Sequence, residues 1–128
     1  MTFDKTNGRL EITFRNGAPT SEDLLDLTVL LGLLRAWEPD VCRCVTGINI
    51  EPTDNDKLLV AVRGWRNDLN HIASRLQWLI GHPVISEEGA IEQGWPLQLR
   101  KQARTELAYR EAVKRLLERV GTFRVFGE

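Results

Sequence analysis

Residues 57–80 read KLLVAVRGWRNDLNHIASRLQWLI, and the fold turns on whether this stretch is one helix or a strand followed by a helix. Leu58, Val62, Trp65, Leu69, Ile72, Leu76 and Leu79 recur at alternating spacings of four and three, as on one continuous amphipathic helix. Gly64 interrupts that pattern, and the β-branched Val60 and Val62 favour a strand. Periodicity alone leaves the two readings even. From Asn67 onward they agree. Asn67 or Asp68 caps a helix whose stripe is Leu69, Ile72, Ala73, Leu76 and Ile80, and Gly81-His82-Pro83 stops it.

Working outward, Leu10, Ile12 and Phe14 alternate with Glu11, Thr13 and Arg15, as in a half-buried strand, with Asn7-Gly8 and Asn16-Gly17 punctuating its ends. Pro19-Thr20-Ser21 and the acids Glu22 and Asp23 then start a leucine-rich helix running to Trp37, which Pro39 ends. Cys42, Cys44, Thr46, Ile48 and Ile50 alternate as a strand, and Pro52 to Asp56 reads as a turn leading into Lys57–Val62. Beyond Pro83 come a short turn or helix at Ser86–Gln93 and a long helix from Pro96 to about Val120. Tyr109, Ala112, Val113, Leu116, Leu117 and Val120 share its apolar face, and Glu111 and Arg115 form a charge pair on its polar one. Thr122–Phe126 adds an edge strand.

Length and charge bound the function. One core, and hence one domain over residues 1–128, is the expectation for 128 residues that are 42% hydrophobic. The longest apolar run, Leu27 to Leu34, is far short of the roughly 20 residues a membrane span needs. With no secretory core near Met1, Cys42 and Cys44 are expected as thiols in a cytoplasmic protein. Net charge is −1, but residues 1–57 hold 6 basic and 10 acidic groups while residues 96–128 hold 8 and 4. The C-terminal end is the candidate anion-binding region, with mutual charge satisfaction as the plainer account of its outer face.

Chemistry-bearing patterns are sparse. His71 and His82 do not share a helix face, and Cys42-x-Cys44 lacks a second ligand pair, so neither a metal nor a cofactor is expected. No phosphate-cradling glycine loop or serine elbow is present, and Glu87-Glu88 reads as a first helical turn, so catalysis is not expected. Of the four tryptophans, Trp65 stands beside Arg63 and Arg66, a set able to stack on a base, although core closure is the commoner use of such residues.

Taken in order and spacing, several segments resemble the cap-binding translation initiation factor family, over about residues 7–83. They are Asn7-Gly8-Arg9-Leu10-Glu11-Ile12-Thr13, the Leu27–Gly32 helix, Asp40-Val41-Cys42 leading to Gly47–Ile50, Asp56–Val60, and His71–Arg75 through Gly81-His82-Pro83. The resemblance implies an α+β fold, a curved antiparallel sheet with helices packed on one face, extended here by the long C-terminal helix. It makes Lys57–Val62 a strand. It also assigns Arg9 and Lys57 to phosphate binding. Glu51 and Ala61 fall where that family places an arginine and a tryptophan, and the segment supplying its two stacking aromatic planes has no counterpart, so tight binding of a methylated cap is not expected.

The function expected is a non-catalytic binding module of translation or RNA metabolism that acts through another protein, with weak RNA or phosphate affinity. The alternative is a small inhibitor or adaptor, of viral or bacterial type, that only occupies a partner's surface. Leu24, Leu27, Leu30, Leu31 and Leu34 are the expected partner-binding face, because leucines surround their helix and a helix on one sheet buries only part of that girth. The competing account folds the C-terminal helix back over those leucines through Tyr109, Val113 and Leu116.

Overall fold

A computed structural model describes residues 7–43, 45–53, 57–81 and 107–127. In chain order the elements are β1 (Asn7–Phe14), α1 (Ser21–Trp37), α2 (Pro39–Cys42), β2 (Gly47–Pro52), β3 (Leu58–Trp65), α3 (Arg66–Gly81), α4 (Leu107–Arg119) and β4 (Val120–Gly127). The pivotal stretch is therefore a strand and then a helix. β3 pairs antiparallel with β2, Leu58 opposite Pro52 and Arg63 opposite Gly47. The strand runs past the expected Val62 to Trp65, and α3 starts at Arg66 with no intervening loop. Gly64 belongs to the strand, facing Gly8 of β1.

The fold class is α+β: a four-stranded antiparallel sheet with order β2-β3-β1-β4 and the described helices on one face. Each β-α-β unit is split by a strand of the other, so β3 sits between β1 and β2, and β1 between β3 and β4. That is the β-α-β-β-α-β pattern of ferredoxin-like folds. On the helix-covered face Leu10, Ile12, Val60 and Val62 meet Leu69, Ile72, Leu76 and Leu79 of α3, all fully buried.

Three expectations need correction. Cys42 is not in a strand; it ends the short helix α2, which Pro39 opens after closing α1. Asn7-Gly8 is not a turn ahead of β1 but part of it, and a Cβ on Gly8 would lie 3.0 Å from the Arg66 Cα and the Phe126 carbonyl oxygen. Glycine is what lets the start of α3 approach β1 and β4 so closely.

The third concerns the leucine face. Leu27, Leu30, Leu31, Leu33 and Leu34 are all buried and Leu24 is half-buried against the core, leaving Leu25 as the exposed leucine of α1. The expected partner-binding set of Leu24, Leu27, Leu30, Leu31 and Leu34 is core, because α4 lies along α1 and buries Ala112, Val113 and Leu116 there. Arg115 makes a two-pronged hydrogen bond to Asp26, 2.9 Å from Nε to Oδ2 and 2.8 Å from Nη2 to Oδ1, and reaches Glu22 rather than the expected Glu111. Of the long C-terminal helix, residues 96–106 lie outside the described residues, as do Ser86–Gln93, His82, Cys44 and Trp95.

Candidate functional site

The other sheet face carries the chemistry. Alternation along β1 turns Arg9, Glu11 and Thr13 away from the helices, and register fixes their neighbours. One row across three strands reads Arg63, Arg9, Phe126; the next reads Asn49, Ala61, Glu11, Arg124. Trp65, opposite Asn7, stands one row beyond Arg63. Two strand spacings and two residues separate Trp65 from Phe126, roughly 12 Å. Trp65 is 39% and Phe126 40% exposed, so an aromatic platform flanks the two arginines on either side.

Both arginines are held by carboxylates of the same face. Arg9 Nη2 lies 2.6 Å from Glu11 Oε2, and Arg63 Nη2 donates to Glu51 Oε1 at 2.6 Å. The second pair runs across the row containing Asn49 and Ala61, and Ala61 is fully buried although it faces away from the described helices. Arg9 Nε is buried without a hydrogen-bond partner, the kind of unmet donor that calls for a functional explanation. Arg124 sits over Phe126, its guanidinium carbon 5.9 Å from the ring centroid.

Toward the opposite end, the face deepens into a groove of about 880 Å³ between the β1–α1 loop and the β2–β3 turn. Glu11, Phe14, Thr53, Lys57, Leu59 and Arg124 are among the residues that line it. The turn is closed by Thr53, whose backbone N–H donates to the Lys57 carbonyl at 2.7 Å and whose hydroxyl accepts from the Lys57 N–H at 3.2 Å. Thr13 and Thr122 share a hydrogen bond of 2.8 Å at the β1–β4 wall.

The loop wall is fixed from behind. Arg119 donates to the carbonyls of Arg15 and Ala18, pairs with Asp23 at 2.9 Å and lies over Phe14, 5.7 Å from its centroid. Asp23 in turn accepts from the Thr20 N–H at 2.8 Å while the Thr20 hydroxyl accepts from the Asp23 N–H, a capping box that starts α1. Burial pushes the Asp23 carboxyl up, but the hydrogen bonds from Arg119 and Thr20 outweigh it and hold the group below its ordinary range. At the α1–α2 junction Glu38 lies 3.1 Å from both His71 Nε2 and Arg75 Nε. The His71 contact is within ion-pair distance but outside hydrogen-bond geometry. His71 first, then Arg75, keep the Glu38 carboxyl low.

Comparison with protein-family profiles, curated proteins and solved structures finds no match.

The structure gathers some expected residues and parts others. Arg9 and Arg63 are cross-strand neighbours and Trp65 joins them. Arg66 does not, because it begins α3 and lays its side chain against Gly127 toward the helix-covered side. Lys57 is six residues along β3 from the row that holds Arg9, roughly 20 Å away, so these two residues cannot grip one phosphate. Sequence reading missed Arg124 and Phe126, although the period-two spacing of Thr122, Arg124 and Phe126 places them on one face. Among the described residues no group of three or more His, Cys, Asp or Glu could hold a metal, and no helix is long and apolar enough to cross a membrane.

Proposed function

We propose that the protein is a non-catalytic binding module in which the sheet face opposite the described helices takes single-stranded RNA, with bases against Trp65 and Phe126 and phosphates against Arg9 and Arg63. The observation that carries this reading is the row Arg63, Arg9, Phe126 with Trp65 beside it. Four-stranded sheets that bind RNA do so by stacking exposed aromatics on unpaired bases, and arginines supply phosphate contacts and further stacking. RNA is preferred to a protein partner because the leucines expected to dock one are interior.

The test is a fluorescence-anisotropy titration of the full chain with a labelled single-stranded oligonucleotide at two salt concentrations, with duplex RNA as control. Binding is expected to weaken as salt rises, by about one unit of log–log slope per phosphate contact, to favour the single strand and to fall in Arg9→Ala/Arg63→Ala. Salt-independent binding, or equal affinity for duplex, overturns it. A methylated cap analogue is expected to add nothing, because Glu51 is committed to Arg63 and Ala61 is buried.

A further inference from the structure

The sheet ends in two strands of different character, β2 and β4. Which backbone groups each turns outward follows from the register. The Thr53 N–H donates to the Lys57 carbonyl, so Gly47, Asn49 and Glu51 bond to β3 while Ile48, Ile50 and Pro52 turn away from it. Pro52 has no N–H to offer, and an outward-facing proline blocks further pairing. The phase then alternates across the sheet: Val60 and Val62 bond to Ile12 and Leu10, leaving Arg9 and Glu11 to bond to Phe126 and Arg124. Thr122 keeps this phase, its N–H donating to the Thr13 hydroxyl at 2.8 Å. Phe123, Val125 and Gly127 therefore point their N–H and carbonyl groups outward, and among the described residues no strand pairs with them. That stretch of β4 contains neither a proline nor a bulge.

The helix above this edge matches it. α3 packs on β4 and β1, whereas α1 reaches β2. His71 and Arg75 face Glu38 at the α1–α2 junction, so the opposite flank of α3 lies toward the β4 edge. Asn67, Asn70, Ser74 and Gln77 are exposed there at spacings of three and four, without a charge among them. The exposed face of α4, by contrast, carries Lys114 and Glu118. A two-fold axis sets a surface against its own copy. Uncharged amides and hydroxyls suit that arrangement, where a row of like charges would repel.

We infer that β4 pairs antiparallel with β4 of a second copy of this chain, centred on Val125, and joins the two sheets edge to edge. In that register Val125 meets its own copy and Phe123 meets the partner's Gly127, so the outward residues of both strands form hydrogen-bonded pairs throughout. Arg124 stands opposite the partner's Phe126, and the symmetry repeats the contact. Arg124 already lies 5.9 Å from the ring of its own Phe126, and the pairing gives its guanidinium a second ring. Centring the pairing on Arg124 instead would set two guanidiniums opposite each other. The added strands lie in the plane of the sheet, so the face of Arg9 and Arg63 stays open.

Analytical ultracentrifugation of the full chain, without nucleic acid, tests the inference apart from the RNA reading. At micromolar concentration the parent chain is expected to sediment at twice its mass of 14.6 kDa. Val125→Pro deletes an N–H that β1 does not use, so it is expected to keep its fold, with circular dichroism as the check, and to sediment as one chain. Val125→Cys reports the register. Its two Cα atoms would lie roughly 5.5 Å apart, within disulfide reach, and air oxidation is expected to link the copies. Phe123→Cys, whose copies lie four residues out of register, is expected to stay unlinked, with the oxidised parent chain as the control for Cys42 and Cys44. A single-chain mass for the parent up to millimolar concentration overturns the inference, as does a dimer that survives Val125→Pro with its fold intact. Should Val125→Pro unfold, the cysteine variants decide: linking through Phe123→Cys but not Val125→Cys overturns the assignment.

Discussion

The two faces of the sheet use the same chemistry, arginine against carboxylate, to opposite ends. On the helix side Arg115 and Arg119 reach acids whose side chains are 3% and 6% exposed, Asp26 and Asp23. Those acids have little access to water, so the arginines supply most of their solvation, and α4 is latched onto α1. On the side opposite the described helices Glu11 and Glu51 are 17% and 24% exposed and their arginines about a third. Here water competes with each partner, so exchanging the carboxylate for a phosphate costs little. Burial of the acid, rather than the pairing itself, separates a clamp from a resting contact.

The contrast breaks most visibly in the shared core. Leu30→Ala removes a fully buried side chain of α1, and chemical denaturation is expected to show a loss of about 2–5 kcal/mol. If the leucine face were instead a docking surface, the loss would stay under about 0.5 kcal/mol. Next comes the clamp. Arg115→Ala leaves Asp26 buried without its two-pronged partner, and a loss of about 2 kcal/mol is expected, below the full value for a buried pair because the arginine side chain is 45% exposed. A loss as small as that of an exposed pair would place Asp26 in water.

How much of this was legible follows from which contacts are local. β1, α1 and α3 were readable because alternation, a cap with first-turn acids and a 3.6-residue stripe are written within each segment. Lys57–Val62 was not decidable from its own pattern, since a strand buried on both faces at Leu59–Val62 shows no alternation; strand pairing with β1 and β2 decides it. The leucines of α1 were misassigned for a related reason. A helix apolar around most of its girth is either an interface or a sandwiched core element, and only the return of α4 with Arg115 and Arg119 tells them apart. Of the proposed site, Arg9, Arg63 and Trp65 were singled out from the sequence, whereas their placement beside Phe126 and Arg124 depends on β4 pairing with β1 across more than a hundred residues.

Acid sharpens the comparison further. Asp23 is held below its ordinary value of 3.8, so its contribution to stability is complete above that value and is lost as pH falls through the lower folded-state value. Glu38 is lowered too and adds to the loss in the same acidic range. Unfolding free energy is therefore expected to decline as pH drops below about 4. Asp23→Asn removes the proton-linked part on the helix side, so its stability is lower at neutral pH and its acid limb shallower. An acid limb identical to that of the parent protein would mean that Asp23 titrates normally.

The smallest effect on stability belongs to the face of Arg9 and Arg63, and it carries the most information. Glu51→Gln keeps the size of the side chain that Arg63 touches but removes its charge. The pair is partly exposed, so the expected stability change is under about 1 kcal/mol. RNA binding should move the other way. With Glu51 neutral, Arg63 no longer exchanges a carboxylate for a phosphate, and one negative charge fewer repels the incoming strand. Affinity for single-stranded RNA is expected to rise by a few fold, and Glu11→Gln, which releases Arg9, should do the same. If instead either glutamine weakens RNA binding without unfolding the chain, the carboxylates are positioning the arginines rather than masking them. The face of Arg9 and Arg63 would then share the logic of the clamp on its far side.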